Sequence, residues 1–282
     1  MNIMVTGAAG EYGSLALKHL KQLALNENIF ALVRDGSKKA ELEAQGFTVR
    51  VADYADVNAM VQAFDGIDRL LFVSVPVFEL QKNVVEAIKK SNISFIAYTS
   101  LCHPEYNKFG LEINHKQTEE LIRATGIPHT FLRNNWYMEI IMPLLTTAVK
   151  TGDFPYYAGD SRVSWIAKSD LAEAGAKVIA GGEYPEILEL SGKAVTFAEL
   201  AEEVKAVTQR PLNIRNVSKG EFTEAMKRTD ISDQGLMFAT VWQDYAVNGN
   251  NGEAELTADV LESVIGHKLM TAADMLKNQM KI

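Results

Sequence analysis

The sequence predicts an α/β fold: a Rossmann-like, doubly wound parallel sheet carrying a smaller, mostly helical C-terminal lobe. Three observations predict it. Apolar runs of four to six residues alternate with amphipathic stretches through the first half of the chain, the rhythm of a parallel sheet with helices on both faces. A glycine-rich turn, Gly7-Ala8-Ala9-Gly10-Glu11-Tyr12-Gly13, joins the first apolar run to the first amphipathic one. The rhythm then breaks after Arg133, where longer helical stretches take over.

Taken in order, strands are expected at Asn2–Thr6, Ile29–Val33, Thr48–Ala52, Arg69–Ser74, Phe95–Thr99 and His129–Leu132. Helices are expected between them near Ser14–Leu25, Lys38–Gln45, Val57–Phe64, Leu80–Lys90 and Ile113–Thr125. Gly46, Gly66 and Gly126 follow three of those helices as stop signals. Beyond Arg133, a helix is expected over Trp136–Lys150 and a turn-rich stretch over Thr151–Arg162. Ser169–Ile179 reads as a helix and Ile187–Leu190 as a late strand. Thr196 with Glu199 and Ser218 with Glu221 read as capping boxes, each hydroxyl and carboxylate satisfying N–H groups at a helix start. Asn248–Gly252 reads as a surface loop and Thr257–Ile265 as a last helix. The expected division is a nucleotide-binding domain over 1–150 and a smaller substrate lobe over 151–282, with strand 187–190 returning to the first domain.

Composition narrows the function. The 282 residues are 47% hydrophobic and 23% charged, a globular rather than disordered balance. The net charge of −8 disfavours nucleic acid and anionic membranes as partners and leaves a small molecule; a homo-oligomer stays open. A single cysteine, Cys102, excludes an intrachain disulfide framework and points to a reducing compartment. No apolar run reaches a bilayer span, and the start has neither a basic region nor a cleavage site. A cytoplasmic protein is expected.

The glycine turn carries chemistry. Gly7 allows the tight exit from the strand, Gly10 lets the backbone approach a pyrophosphate, and Gly13 lets helix and strand pack. The helix N-terminus adds N–H donors and a partial positive charge. At the end of the second strand a carboxylate would select NAD, whereas arginine accommodates a 2′-phosphate. Arg34 stands there, with Lys38 and Lys39 beyond. NADP(H) is therefore expected, although the adjacent Asp35 keeps NAD open. Ligands of such folds lie beyond the carboxyl ends of the strands. That places Asp53 and Tyr54 near the adenine and Ser74, Val75 and Pro76 beside the ribose. Thr99, Ser100, Asn134, Asn135, Trp136 and Tyr137 would face the nicotinamide.

The start TGAAGEYG and the tracts ALVRD, ADY, FIAYTSLCH and TFLRNNWYMEI together resemble the NmrA-like atypical short-chain dehydrogenases/reductases. Within them the chain is most similar to the bacterial NADPH-dependent quinone oxidoreductases, with triphenylmethane reductases as close relatives. AGDSRVSWIAKSDLAEA and LELSGKAVTFAELA extend the resemblance through nearly the whole chain. It implies a Rossmann-like domain binding NADP(H), a small C-terminal lobe and a substrate cleft between them. By position, Gly7, Ala9, Gly10, Glu11 and Tyr12 would hold the pyrophosphate and Arg34 the 2′-phosphate, while Asn134 to Glu139 would line the nicotinamide end. The chain departs from the family's usual GATGQLG start at Ala9, Glu11 and Tyr12, and Asn135 stands where glycine is common.

Many short-chain dehydrogenases use a tyrosine with lysine four residues on, the lysine lowering the tyrosine pKa for proton transfer. Every tyrosine here lacks that lysine; Tyr98 leads to Cys102, Tyr106 to Gly110 and Tyr137 to Ile141. This disfavours alcohol–ketone chemistry and sugar-nucleotide epimerisation. Hydride transfer to a quinone asks less of the protein, because positioning of the two rings carries most of the catalysis. Tyr137 and His115 are the candidate proton donors, and Trp136, Tyr137 and Trp165 the candidate substrate residues. No flavin is expected. No metal is expected either, Cys102 and His103 alone being a poor donor set. The competing reading is a non-catalytic NADP(H)-binding redox sensor.

Overall fold

The structure, a computed structural model, describes residues 1–280. In chain order the first elements are β1 (Asn2–Val5), α1 (Glu11–Leu23), β2 (Asn28–Val33), α2 (Lys39–Ala44), β3 (Thr48–Val51), α3 (Val57–Ala63), β4 (Arg69–Phe72), α4 (Phe78–Ile88), β5 (Phe95–Leu101), α5 (Leu111–Arg123) and β6 (His129–Asn134). There follow β7 (Trp136–Tyr137), α6 (Met142–Thr151), β8 (Asp153–Tyr156), β9 (Arg162–Ile166), α7 (Lys168–Ala180), β10 (Ile187–Leu190), β11 (Ala194–Thr196), α8 (Phe197–Thr208), β12 (Asn213–Asn216), α9 (Lys219–Met226), α10 (Asp233–Asn248), α11 (Asp259–Ile265) and α12 (Ala272–Met280).

The chain divides into two compact units. The first comprises Met1–Asn134, Lys168–Leu190 and Ser263–Gly266; the second comprises Asn135–Ala167, Ser191–Glu262 and His267–Ile282. The division expected at residue 150, with strand 187–190 returning, falls here after Asn134, and the returning segment is Lys168–Leu190.

In the first unit the strands form one sheet in the order β10-β6-β5-β4-β1-β2-β3, with every pairing parallel. Alternate strand residues build the two faces. Met4, Leu32, Leu70, Phe72, Ile96, Tyr98 and Phe131 join Met60, Phe64, Val84, Val85 and Ile122 of the helical side in one buried cluster. The intervening Ile3, Val5, Ala31, Leu71, Ala97 and Leu132 are buried as well, and α7 packs on β4, β5 and β6 and against α1. Both faces are therefore covered, which is why these strands read as nearly unbroken apolar runs. Truncating a core aromatic such as Phe72 would cost about 3–5 kcal/mol. The late strand lies where expected, Ile187–Leu190 pairing with Phe131–Asn134. The order of strands reverses between β1 and β4, and that reversal is where loops after both strands can flank a ligand.

In the second unit α6 packs on α8 and α10, and α8 on α12. Two small sheets join them: β11-β9-β7 and β12-β8. Two expectations need correction here. The helix begins at Met142, not Trp136; Trp136–Tyr137 form a short strand beside Trp165–Ile166. Pro143 lies in the first turn of α6, where its fixed φ and missing N–H suit a helix start. Within the expected turn-rich stretch, Asp153–Tyr156 is a strand paired with Asn213–Asn216; a two-stranded sheet has only edges, so Pro155 is tolerated. Both capping boxes form as read.

Candidate functional site

The loop between β1 and α1 is shaped by steric necessity. Gly7 has φ +58°, and its carbonyl accepts the Gly10 N–H at 2.9 Å. A Cβ on Gly13 would lie 2.4 Å from that same Gly7 oxygen, so only glycine lets α1 start so close to the turn. Gly10 caps α1 with no side-chain bond to the first turn, which leaves the helix's leading N–H groups for a ligand. Ala9, Gly10 and Glu11 are exposed at its mouth.

Two loop side chains are already engaged. Glu11 forms an ion pair with Lys168, the first residue of α7, which offsets the negative charge this chain places beside a phosphate cradle. Lys168 lies 157 positions away, and no local pattern announced it. Tyr12 points away from the loop: its hydroxyl donates to the Leu171 carbonyl at 3.0 Å, and a Cβ on Gly175 would come within 2.5 Å of it. Its side chain serves the packing of α1 on α7, so only its backbone stays with the loop.

Arg34, at the end of β2, is 77% exposed and 3.8 Å from Asp35. Asp35 accepts the Ser37 N–H at 2.9 Å, and the Ser37 hydroxyl together with that N–H holds its carboxyl below the usual pKa. The carboxylate therefore caps its own turn, and Arg34 is the reaching group at the strand end. Asp53 likewise accepts from Ala55 N at 2.8 Å. Tyr54 lies beneath the loop rather than across its mouth. It packs edge-on against Phe72, its hydroxyl meets Val73 O at 3.5 Å, and burial pushes its pKa up against contacts with Thr6 and Gly7 that lower it.

After β4, Ser74 N donates to Thr99 Oγ1 at 2.8 Å and Thr99 Oγ1 to Ser74 Oγ at 3.0 Å, clasping the ends of β4 and β5. Val75 is partly buried and Pro76 exposed; the Pro76 carbonyl accepts from Asn114 Nδ2 at 3.1 Å. Ser100 departs from expectation. Neighbouring residues of a strand face opposite ways, and the Ser100 hydroxyl donates to Glu119 Oε1 on α5 at 2.6 Å. His115, also on α5, meets the Tyr98 hydroxyl at 3.0 Å. Burial pulls its pKa down to about 4 against the pull of Glu119, so the imidazole is neutral near pH 7.

The Glu119 carboxylate also takes two bonds from Arg133, at 2.9 and 2.8 Å, and Arg133 reaches Glu189 on β10 at 2.7 Å. Burial lowers the Arg133 pKa, but these two carboxylates more than reverse it. Glu189 brings to Cys102 and His103 the carboxylate their sequence context lacks, with donor atoms of all three within 4.8 Å. Yet its oxygens already serve Arg133 and the His103 N–H, and a guanidinium there opposes a dication.

Asn134 ends β6 at 3% exposure, and neither its Oδ1 nor its Nδ2 has a hydrogen-bond partner among the described residues. A buried amide left so costs stability unless a ligand or an ordered water completes it. In the second unit, Asn135 and Trp136 converge on Glu253, a fully buried carboxylate. Asn135 Nδ2 donates to it at 2.9 Å, Trp136 Nε1 at 3.0 Å, Ser164 N at 3.0 Å and the Tyr245 hydroxyl at 2.8 Å. Trp136 is buried, its ring edge-on against Trp242 and Tyr245. Trp165, paired with Trp136 across β7 and β9, is buried, and its Nε1 has no hydrogen-bond partner among the described residues. Tyr137 is partly buried at the end of β7. The expected surface loop at 248–252 is partly interior: Asn251 is buried, its Nδ2 donating to Tyr245 O at 3.0 Å, and it delivers Glu253.

Quinone oxidoreductase 2 of Escherichia coli (strain K12) is 33% identical over 282 residues, covering 98% of each chain. Among solved structures, the NADPH-dependent quinone oxidoreductase of Escherichia coli complexed with NADPH matches with a TM-score of 0.83 and 31% identity over 99% of each chain. Triphenylmethane reductase of Citrobacter sp. complexed with NADP(H) matches with a TM-score of 0.85 and 30% identity, again over 99% of each chain. The NmrA-like family model matches residues 1–269. With a phosphate-type glycine loop at the strand-order reversal and kinship along its full length, the chain belongs to the NmrA-like family.

Proposed function

We propose that the protein is an NADPH-dependent oxidoreductase that passes hydride to a quinone or a similar planar, electron-poor acceptor. The observation that carries the reading is the uncapped α1 N-terminus behind Gly7, Gly10 and Gly13, with Arg34 extended at the neighbouring strand end. The leading N–H groups of α1 suit a diphosphate. The Arg34 fork suits a 2′-phosphate, which favours NADPH over NADH. The orphaned Asn134 amide fits the polar end of the same cofactor. Relatives described as binding NADPH and reducing quinones support the reading.

The bound cofactor supplies the hydride. The protein's own part is to hold and orient. Trp136, Tyr137 and Trp165 are our choice of residues for the acceptor, aromatic side chains suited to a planar ring. Tyr137 is our choice of proton donor to the reduced oxygen. His115 is not, because an imidazole held neutral at Tyr98 carries no spare proton near pH 7. The reading calls for neither a flavin nor a metal, and a single cysteine suits a cytoplasmic setting.

The test is direct. The protein is mixed with NADPH and a panel of benzo- and naphthoquinones, and absorbance of the reduced cofactor is followed, with binding measured separately by calorimetry. Oxidation above background with NADPH, and less with NADH, is expected. Tight NADPH binding without oxidation of any quinone would overturn the catalytic reading.

A further inference from the structure

An open groove of about 530 Å3 runs between the start of α6 and α12, and every residue lining it belongs to the second unit. Met142 and Pro143 come from α6, Met275 from α12, and Met270 from the segment leading into α12. Their side chains carry no N–H or O–H, and the thioethers accept only weakly. Asn278 and Gln279 bring amides, and both are exposed, whereas Met142 is buried and Pro143, Met270 and Met275 are half-buried. The groove is thus apolar in its depth and polar at its rim. Its α6 wall is backed: Gly235 of α10 packs so close that a Cβ there would lie 2.9 Å from Pro143 Cβ. Thr146 Oγ1 donates to Gln279 Oε1 at 3.4 Å, which ties α6 to α12.

A quinone ring does not suit that lining. Its two carbonyl oxygens ask for donors, and the four deeper side chains have none. A hydrocarbon chain does suit it. Methionine is unbranched and soft, so it repacks around flexible chains of irregular shape, and the volume is of the size that takes small molecules. The groove is also continuous with a residue chosen above for the acceptor. Tyr137 caps the short turn Met138–Ile140. That turn carries Glu139 onto the groove, and Met142 and Pro143 open α6 directly after it. For a ring held at Tyr137, the groove therefore begins within the same turn.

We propose that the groove takes the hydrocarbon tail of a tailed quinone, so that the acceptor is recognised twice, its ring at Tyr137 and its tail among Met142, Met270 and Met275. The inference rests on the function reading above and adds to it the class of acceptor, a quinone bearing a neutral apolar chain rather than a bare ring.

The experiment follows NADPH oxidation with one benzoquinone head group bearing no, one or two isoprene units. In the wild type KM should fall roughly tenfold with each unit, from the apolar area that each buries, while kcat changes little. The double variant Met270→Gln, Met275→Gln keeps side-chain length but lines the groove with amides. It should shrink the KM ratio between the tail-less and two-unit quinones by roughly tenfold, with circular dichroism checking its fold. Geraniol, a free two-unit prenyl alcohol, tests the wild type without substitution. It should raise the KM of the two-unit quinone and not that of the tail-less one. A KM ratio near one in the wild type, a ratio unchanged in the double variant, or equal inhibition of both quinones by geraniol overturns the proposal. A double variant that keeps the ratio but loses an oligomer in sedimentation assigns the groove to a second copy of the chain and overturns it as well. If no quinone is oxidised the function reading itself fails, whereas equal use of bare and tailed quinones defeats this inference alone.

Discussion

Acidification should destabilise the protein through His115, by an amount that follows from its surroundings. Its Nδ1 lies 3.0 Å from the Tyr98 hydroxyl, and burial, opposed by Glu119, takes its pKa from 6.5 to about 4. The folded ring refuses a proton that the unfolded chain accepts. Stability contributed by the neutral ring is therefore intact above pH 6.5, declines as pH falls, and is exhausted below pH 4. The fall from 6.5 to about 4, at about 1.36 kcal/mol for each tenfold change in proton affinity, sets a ceiling of about 3 kcal/mol. At pH 4.5 about 2.5 kcal/mol of that is realised. Replacement by glutamine keeps a polar group at Tyr98 but removes the titration. Urea unfolding of wild type and His115→Gln at pH 7.5 and pH 4.5 gives a double difference in which the groups not coupled to the ring cancel. The wild type should lose about 2.5 kcal/mol more than the variant between the two conditions. Equal losses, within about 0.5 kcal/mol, would show that the ring takes its proton freely and would restore it as a candidate acid.

Arg34→Ala should weaken NADPH binding about ten- to a hundredfold, the worth of charge-assisted bonds to a phosphate, while NADH affinity stays level in the same titration. Gly13→Ala places a Cβ 2.4 Å from the Gly7 oxygen; calorimetry should show cofactor binding lost, with stability down by about 1–3 kcal/mol in urea. Because Lys168 pairs with Glu11, Lys168→Met should leave that carboxylate uncompensated and weaken NADP+ binding, whereas Glu11→Gln should tighten it about threefold at low salt. Arg133→Met takes the guanidinium from Glu189 and leaves Glu119 only Arg123 at 3.4 Å; it should cost about 3–5 kcal/mol by denaturant unfolding.

What the sequence disclosed was local. The turn at Gly7, the capping boxes at Thr196 and Ser218, and strand 187–190 each depend on residues a few positions apart, and each formed as read. Trp136–Tyr137 was misread because a two-residue strand exists only through its tertiary neighbours Trp165–Ile166. Ser100 and Tyr12 were assigned by loop position, while their side-chain directions depend on Glu119 and Leu171, distant in sequence. Glu253 was invisible for the same reason, lying 118 positions from Asn135 behind a polar stretch that resembles any surface loop.

The interrupted path of the first unit bears on how the chain emerges from the ribosome. Strand β6 ends at Asn134, but β10, its neighbour on the outer side, ends at Leu190. At roughly 5–20 residues per second, several seconds of translation separate the two. Throughout that interval the rim of a sheet formed that far would offer the unpaired backbone groups of β6 to any passing strand, a route to aggregation. Slow codons between positions 135 and 190 would lengthen that exposure, so yield in a recombinant host should respond to synonymous changes there more than to those downstream of Leu190.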